Sequence, residues 1–68
     1  MHNFSYNLRH LRLKKKLTQE QVAAAAEISV KYLSLIESAA FHNPPTLEVV
    51  FDLARALQVE PFQLFREL

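Results

Sequence analysis

The sequence predicts an all-helical fold, a single small domain of five short helices, and three observations carry that expectation. Apolar residues recur at three- and four-residue intervals through most of the chain, the period of one helix face rather than of a strand. Thr18, Ser29 and Thr46, hydroxyl residues of the kind that open helices, each stand just ahead of such a run. A length of 68 residues supports one core, so residues 1–68 are expected to form one unit.

The first helix is expected over residues 5–15, where Phe4, Leu8 and Leu11 fall on one face and basic residues gather at the end that favours positive charge. Thr18-Gln19-Glu20-Gln21 reads as a capping box that starts the second. That helix is alanine-rich, with Val22, Ala23 and Ala26 on a face of little bulk that another helix can approach closely. Ser29 caps a third helix reaching Glu37, with Leu33 and Ile36 inward. Asn43-Pro44-Pro45-Thr46 forces a break, because a residue before proline is driven towards extended geometry. The fourth helix then carries Leu47, Val50, Ala54 and Leu57 on one stripe, and the fifth begins at Pro61, whose missing N–H costs nothing in a first turn.

Composition narrows the function. There is no cysteine, so neither disulfides nor thiolate-bound metal can hold this core, and packed helices or self-association must do so. No apolar run reaches the roughly 18 residues of a membrane span, and Met1-His2-Asn3-Phe4 does not open a secretion signal, so a cytoplasmic protein without membrane contact is expected. The formal net charge is only +1, but it is unevenly spread: residues 1–34 carry +4 and residues 35–68 carry −3. A basic half suits a polyanion. His2, His10 and His42 show no metal-ligand spacing, no glycine exists to cradle a nucleotide, and no nucleophile triad is suggested. Neither an enzyme, a cofactor nor a small-molecule substrate is therefore expected.

The decisive local feature is the three-residue separation of the second and third helices by Glu27, Ile28 and Ser29, too short for an antiparallel hairpin. The chain must turn sharply there, as in a helix-turn-helix. Around it stand Leu8-Arg9-x-x-Arg12, Leu17-Thr18-Gln19-Glu20-Gln21-Val22-Ala23, Tyr32-Leu33-Ser34-x-Ile36-Glu37 and Leu53-Ala54-x-Ala56-Leu57. Taken jointly these segments resemble the Cro and lambda-repressor type of helix-turn-helix proteins, the XRE family, over nearly the whole chain.

That resemblance implies a five-helix lambda-repressor-like domain, commonly a homodimer, whose third helix lies in the major groove of double-stranded DNA while the second crosses the phosphate backbone. Ser29, Val30, Lys31, Ser34 and Leu35 would then face base edges; Lys31 suits guanine O6 or N7 and Val30 a thymine methyl. Thr18 and Gln19 match the phosphate-contacting start of the second helix, with Thr18 also serving as a cap. Lys14 and Lys16 from the basic run, and Ser38, His42 and Asn43 after the third helix, are further phosphate candidates. Arg12 and Glu37 match a buried ion pair that is structural in this family. Phe62, Leu64, Phe65 and Leu68 exceed what one short helix buries, and a dimer interface would absorb them.

The chain departs from the family pattern in having no glycine at all. The family places glycine where Glu27 stands, and often others near Lys16 and Ala39; a non-glycine residue forced into left-handed geometry pays about 1 kcal/mol, so the turn at Glu27 is expected to be strained or of altered geometry. The apolar third helix shifts weight towards methyl contacts and DNA shape. Three functions fit: a repressor on a palindromic operator, an antitoxin or restriction-modification controller, and a protein-interaction module that has lost DNA contact.

Overall fold

A computed structural model describes residues 3–38 and 45–66. In chain order it contains α1 (Asn3–Lys14), α2 (Gln19–Ala26), α3 (Val30–Ile36) and α4 (Leu47–Leu57), followed by one 3₁₀ turn at Pro61–Leu64. No strand occurs among the described residues. The expectation of five helices is corrected: the described residues form four helices and a 3₁₀ turn. The last segment closes through short-range bonds, Gln63 N–H to Glu60 carbonyl at 2.9 Å and Phe65 N–H to Phe62 carbonyl at 3.0 Å. That pattern is tighter than an α-helix and is seldom propagated beyond a few residues.

The predicted caps form. The Thr18 hydroxyl accepts from Gln21 N–H at 3.0 Å while Gln21 Oε1 accepts from Thr18 N–H at 2.8 Å, a reciprocal box at the start of α2. Ser29 Oγ accepts from Tyr32 N–H at 3.0 Å, and Thr46 Oγ1 from Val49 N–H at 3.2 Å.

Three helix ends share one solution. Lys16 (φ 60°), Glu27 (φ 62°) and Gln58 (φ 59°) are left-handed. After each, the next residue's N–H reaches back into the last turn: Leu17 to Arg12 carbonyl at 3.1 Å, Ile28 to Ala23 at 3.0 Å and Val59 to Ala54 at 3.0 Å. These are Schellman motifs, in which the residue after the left-handed one is commonly apolar and packs back onto the helix. Leu17, Ile28 and Val59 fill that role, each partly buried against the core. Left-handed geometry at Glu27 meets the expectation of strain in that turn; Lys16 and Gln58 share it without having been anticipated, and Ala39 lies outside the described residues.

The core gathers Leu8, Val22, Ala23, Ala26, Leu33, Ile36, Val50, Leu53, Ala54, Leu57 and Leu64. Small Ala23 and Ala26 let α2 sit against both α3 and α4. Two expectations are corrected here. Leu64, expected at a dimer interface, is wholly buried because the 3₁₀ turn aims it into the core. Leu47, expected on the core stripe of α4, is 68% exposed because it occupies the first helical position, outboard of Val50 and Leu53. Buried polar groups tie the ends together: Ser5 Oγ donates to Ile36 carbonyl at 2.7 Å, and Asn7 Nδ2 to Arg66 carbonyl at 2.7 Å. Asn7 Oδ1 is buried with no hydrogen-bond partner.

Candidate nucleic-acid interface

Helix α3 is held from behind and left bare in front. Leu33 and Ile36 are fully buried, whereas Ser29, Val30, Lys31, Ser34 and Leu35 are all exposed. The helical repeat of about 100° per residue turns Lys31, Ser34 and Leu35 away from Leu33 and Ile36, while Val30 flanks the buried face and Ser29 is exposed as the extended cap. Tyr32, half-buried at the margin, packs against the core. The outer row offers one ammonium, two hydroxyls and two branched apolar groups, a set able to donate to base acceptors and to cover a thymine methyl.

A single carboxylate fixes the orientation of this platform. Glu37, at the end of α3, receives Arg12 Nε on Oε2 at 2.7 Å and Arg12 Nη2 on Oε1 at 2.9 Å, a two-pronged ion pair. Arg12 and Glu37 are each 8% exposed. Gln19 Nε2 adds a third donor, to Oε1 at 3.1 Å, and Arg12 Nη1 donates to Leu17 carbonyl at 3.0 Å. Residues from three helices therefore meet at one carboxylate, and the loop ahead of α2 is tied to the arginine that pairs with it. The Arg12 pKa is raised above its ordinary value, first by its hydrogen bonds to Glu37 and then by that carboxylate's charge, against the opposing effect of burial. Arg12 accordingly stays charged at neutral pH.

The Gln19–Glu37 bond is not legible in the sequence. Gln19 was expected to face phosphate; the structure places one of its amide hydrogens on Glu37, leaving the other free in number to bind elsewhere. Thr18 uses its oxygen as a cap and keeps its hydroxyl proton. Lys16 is exposed at the turn ahead of α2. Lys14 points another way, into a cleft between α1 and the 3₁₀ turn that it lines with Asn7 and Arg66. Ser38 is half-buried and its N–H closes the last turn of α3 on Leu35 carbonyl at 3.0 Å. His42 and Asn43 lie outside the described residues, as does Leu68.

At the far end, Phe62 and Phe65 are exposed, the Phe65 ring lying 5.3 Å from that of Phe4. Leu47 and Phe51 of α4 are exposed as well. Their one-turn spacing was the signal that could have set them apart from the buried stripe. Among the described residues no helix is long and apolar enough to cross a membrane.

Two short helices joined at a sharp left-handed turn, the second bare on its outer face, define a helix-turn-helix module. Comparison with known proteins agrees. The helix-turn-helix family profile matches residues 8–64. An uncharacterized HTH-type transcriptional regulator, y4dJ, of Sinorhizobium fredii is 40% identical over 58 residues, 85% of this chain and 73% of that protein. The crystal structure of the restriction-modification controller protein C.AhdI from Aeromonas hydrophila superposes with a TM-score of 0.84 at 35% identity, covering 93% of this chain and 92% of that one. This chain belongs to the XRE-type helix-turn-helix family of DNA-binding transcription regulators.

Proposed function

We propose that this protein represses transcription by binding a palindromic duplex operator as a homodimer, with α3 of each copy in the major groove. The observation that carries the reading is the outer row of α3, exposed from Ser29 to Leu35 on a helix whose other face is locked into the core. Lys31 is the principal base contact, Ser29 and Ser34 supply adaptable hydroxyls, and Val30 and Leu35 meet thymine methyls. Thr18, Gln19 and Lys16 meet phosphate at the start of α2, where first-turn N–H groups also favour an anion, and Ser38 does so after α3. Occupying a promoter excludes polymerase, so repression is the expected consequence.

The dimer reading rests on Phe62 and Phe65, which remain exposed on so small a chain, with Leu47 and Phe51 adding to the apolar surface. Two seven-residue reading helices related by a two-fold axis would contact half-sites about one helical turn of DNA apart. Selection of bound sequences from a random duplex pool tests the reading directly: the expected result is an inverted repeat with that spacing. Enrichment of no sequence, or binding that ignores salt, would favour the protein-interaction alternative, since phosphate contacts release counterions and weaken steeply as salt rises.

A second reading is favoured by one observation, the similarity over nearly all of both chains to a restriction-modification controller protein. On that reading the operator lies ahead of a restriction-modification gene pair. An antitoxin role would use the same DNA-binding surface. Genes adjacent to the coding sequence separate these cases.

A further inference from the structure

We propose that the outward face of α1 docks an acidic, amphipathic segment of a partner protein, and does so while α3 remains free for DNA. Helix α1 is anchored along two edges: Ser5 and Arg12 face the end of α3, and Asn7 faces the 3₁₀ turn through its bond to the Arg66 carbonyl. The arc between those edges, with about 100° of rotation per residue, carries Tyr6, Arg9, His10 and Leu13. All four are exposed, Tyr6 at 61% and Leu13 at 51%. The Tyr6 and His10 rings are stacked, with centroids 5.8 Å apart and planes 11° from parallel, which gives the arc a flat aromatic step one helical turn long.

Among the described residues that line this face, the charge has one sign. Helix α1 contains no acidic residue. Arg9 flanks the step on one side, and on the other lies a cleft of about 140 Å³ whose lining includes Leu11, Lys14, Gln63 and Arg66, with no carboxylate among its lining residues. A cavity of that volume holds about six non-hydrogen atoms. The fit is one partner side chain, its methylenes on Leu11 and its carboxylate between Lys14 and Arg66. An apolar centre with a cationic border selects a peptide with the inverse pattern, aromatic or aliphatic residues interleaved with Asp or Glu.

Duplex DNA satisfies the border and not the centre, since phosphates gain nothing from Tyr6 and Leu13. Geometry separates the two surfaces as well. Arg12 marks the side of α1 that meets Glu37, Gln19 and thus the ends of α2 and α3. Tyr6 points about 120° away from Arg12 around the helix axis. A protein seated there leaves the outer row of α3 unobstructed.

Amide NMR titration of the full chain tests this, with three probes: a synthetic peptide of about twelve residues alternating Asp with Phe and Leu, polyglutamate of equal charge, and a random-sequence duplex. The expected result is that the alternating peptide shifts Tyr6, Arg9, His10, Leu13 and Lys14 with a dissociation constant below about 1 mM. Polyglutamate should bind at least about tenfold more weakly, and Tyr6→Ala with Leu13→Ala should lose at least about tenfold for the alternating peptide. The duplex should shift residues of α2 and α3 and leave this arc unchanged. The proposal is overturned if the alternating peptide leaves the arc unmoved, or if polyglutamate binds equally well. It is likewise overturned if the duplex moves the arc, or if the double substitution changes the number of chains in the solution assembly. Because both substituted side chains are exposed, folding is checked independently by the unchanged amide pattern of the core. Failure of DNA binding in the duplex arm would overturn the function proposed above and leave this inference standing.

Discussion

At Glu27 the backbone does what a side chain with a Cβ resists. Its φ of 62° is left-handed, and Lys16 and Gln58 repeat the geometry at two other helix ends. The steric cost is roughly 1–2 kcal/mol per residue, offset in part by the larger unfolded-state entropy of a glycine. Glu27→Gly is therefore expected to raise stability by about 0.5–1 kcal/mol, or Tm by about 4–8 °C per kcal/mol. Glu27→Ala, which keeps the Cβ, should leave the melting curve nearly unchanged. Thermal denaturation of the two variants checks this; equal gains from Gly and Ala would mean that the charge, and not the backbone, was at fault. Lys31 belongs to the same scale. If it meets guanine, Lys31→Ala costs about 1–3 kcal/mol on the selected operator and much less on unrelated duplexes, read by fluorescence anisotropy at fixed salt.

Between elements, the Arg12–Glu37 pair is the joint on which the placement of α3 depends. Both groups are nearly enclosed, so deleting one leaves the other charge buried without its partner. Glu37→Ala and Arg12→Ala are each expected to destabilise by about 3–5 kcal/mol in urea titrations. The double replacement by Met and Leu should recover most of that loss, because it removes both desolvation penalties. Arg12→Lys should also be costly, since an ammonium cannot make the paired bonds to two carboxylate oxygens while donating to Leu17. Arg12 contributes no pH dependence in the neutral range. Its folded pKa is raised, so its share of stability is fully present below its unfolded value and is lost only as pH climbs through the higher folded one. Smaller joints act likewise: Thr18→Ala removes the α2 cap and is expected to cost about 0.5–2 kcal/mol. Arg55 Nη1 donates to Ala25 carbonyl at 3.2 Å, one of the groups the end of α2 leaves open, and so links α4 to α2.

Across the whole molecule, charge and apolar surface are sorted by location. The basic half of the chain holds the helix-turn-helix, and the acidic half carries α4 and the 3₁₀ turn, where Phe51, Phe62 and Leu47 are exposed. Self-association through that end would turn the acidic half inward and present two basic halves on one side. Sedimentation equilibrium is expected to give twice the 7.9 kDa chain mass at micromolar concentration, and Phe51→Ser with Phe62→Ser to return it to one. A native chain that stays at one subunit throughout would remove the dimer from the proposed function. Phe65 is a poorer choice for this test, because its ring also packs on Phe4.

The positions of the four helices, their N-caps and the place of the turn were legible in the sequence alone, because they depend on neighbours within four residues: Thr18 with Gln21, Ser29 with Tyr32, Thr46 with Val49. The outer row of α3 was legible for the same reason, once Leu33 and Ile36 marked its inner face. Tertiary structure alone decided what depends on distant partners. Apolar Leu47 stays outside while equally apolar Leu64 is enclosed, because burial follows from which surface a segment meets rather than from its own hydrophobicity. The last segment closes as a 3₁₀ turn, and Gln19, 18 residues away in the chain, reaches Glu37 because packing brings the start of α2 beside the end of α3. Local bonds carry their information in adjacent letters; long-range ones exist only after the core has formed and set the distances.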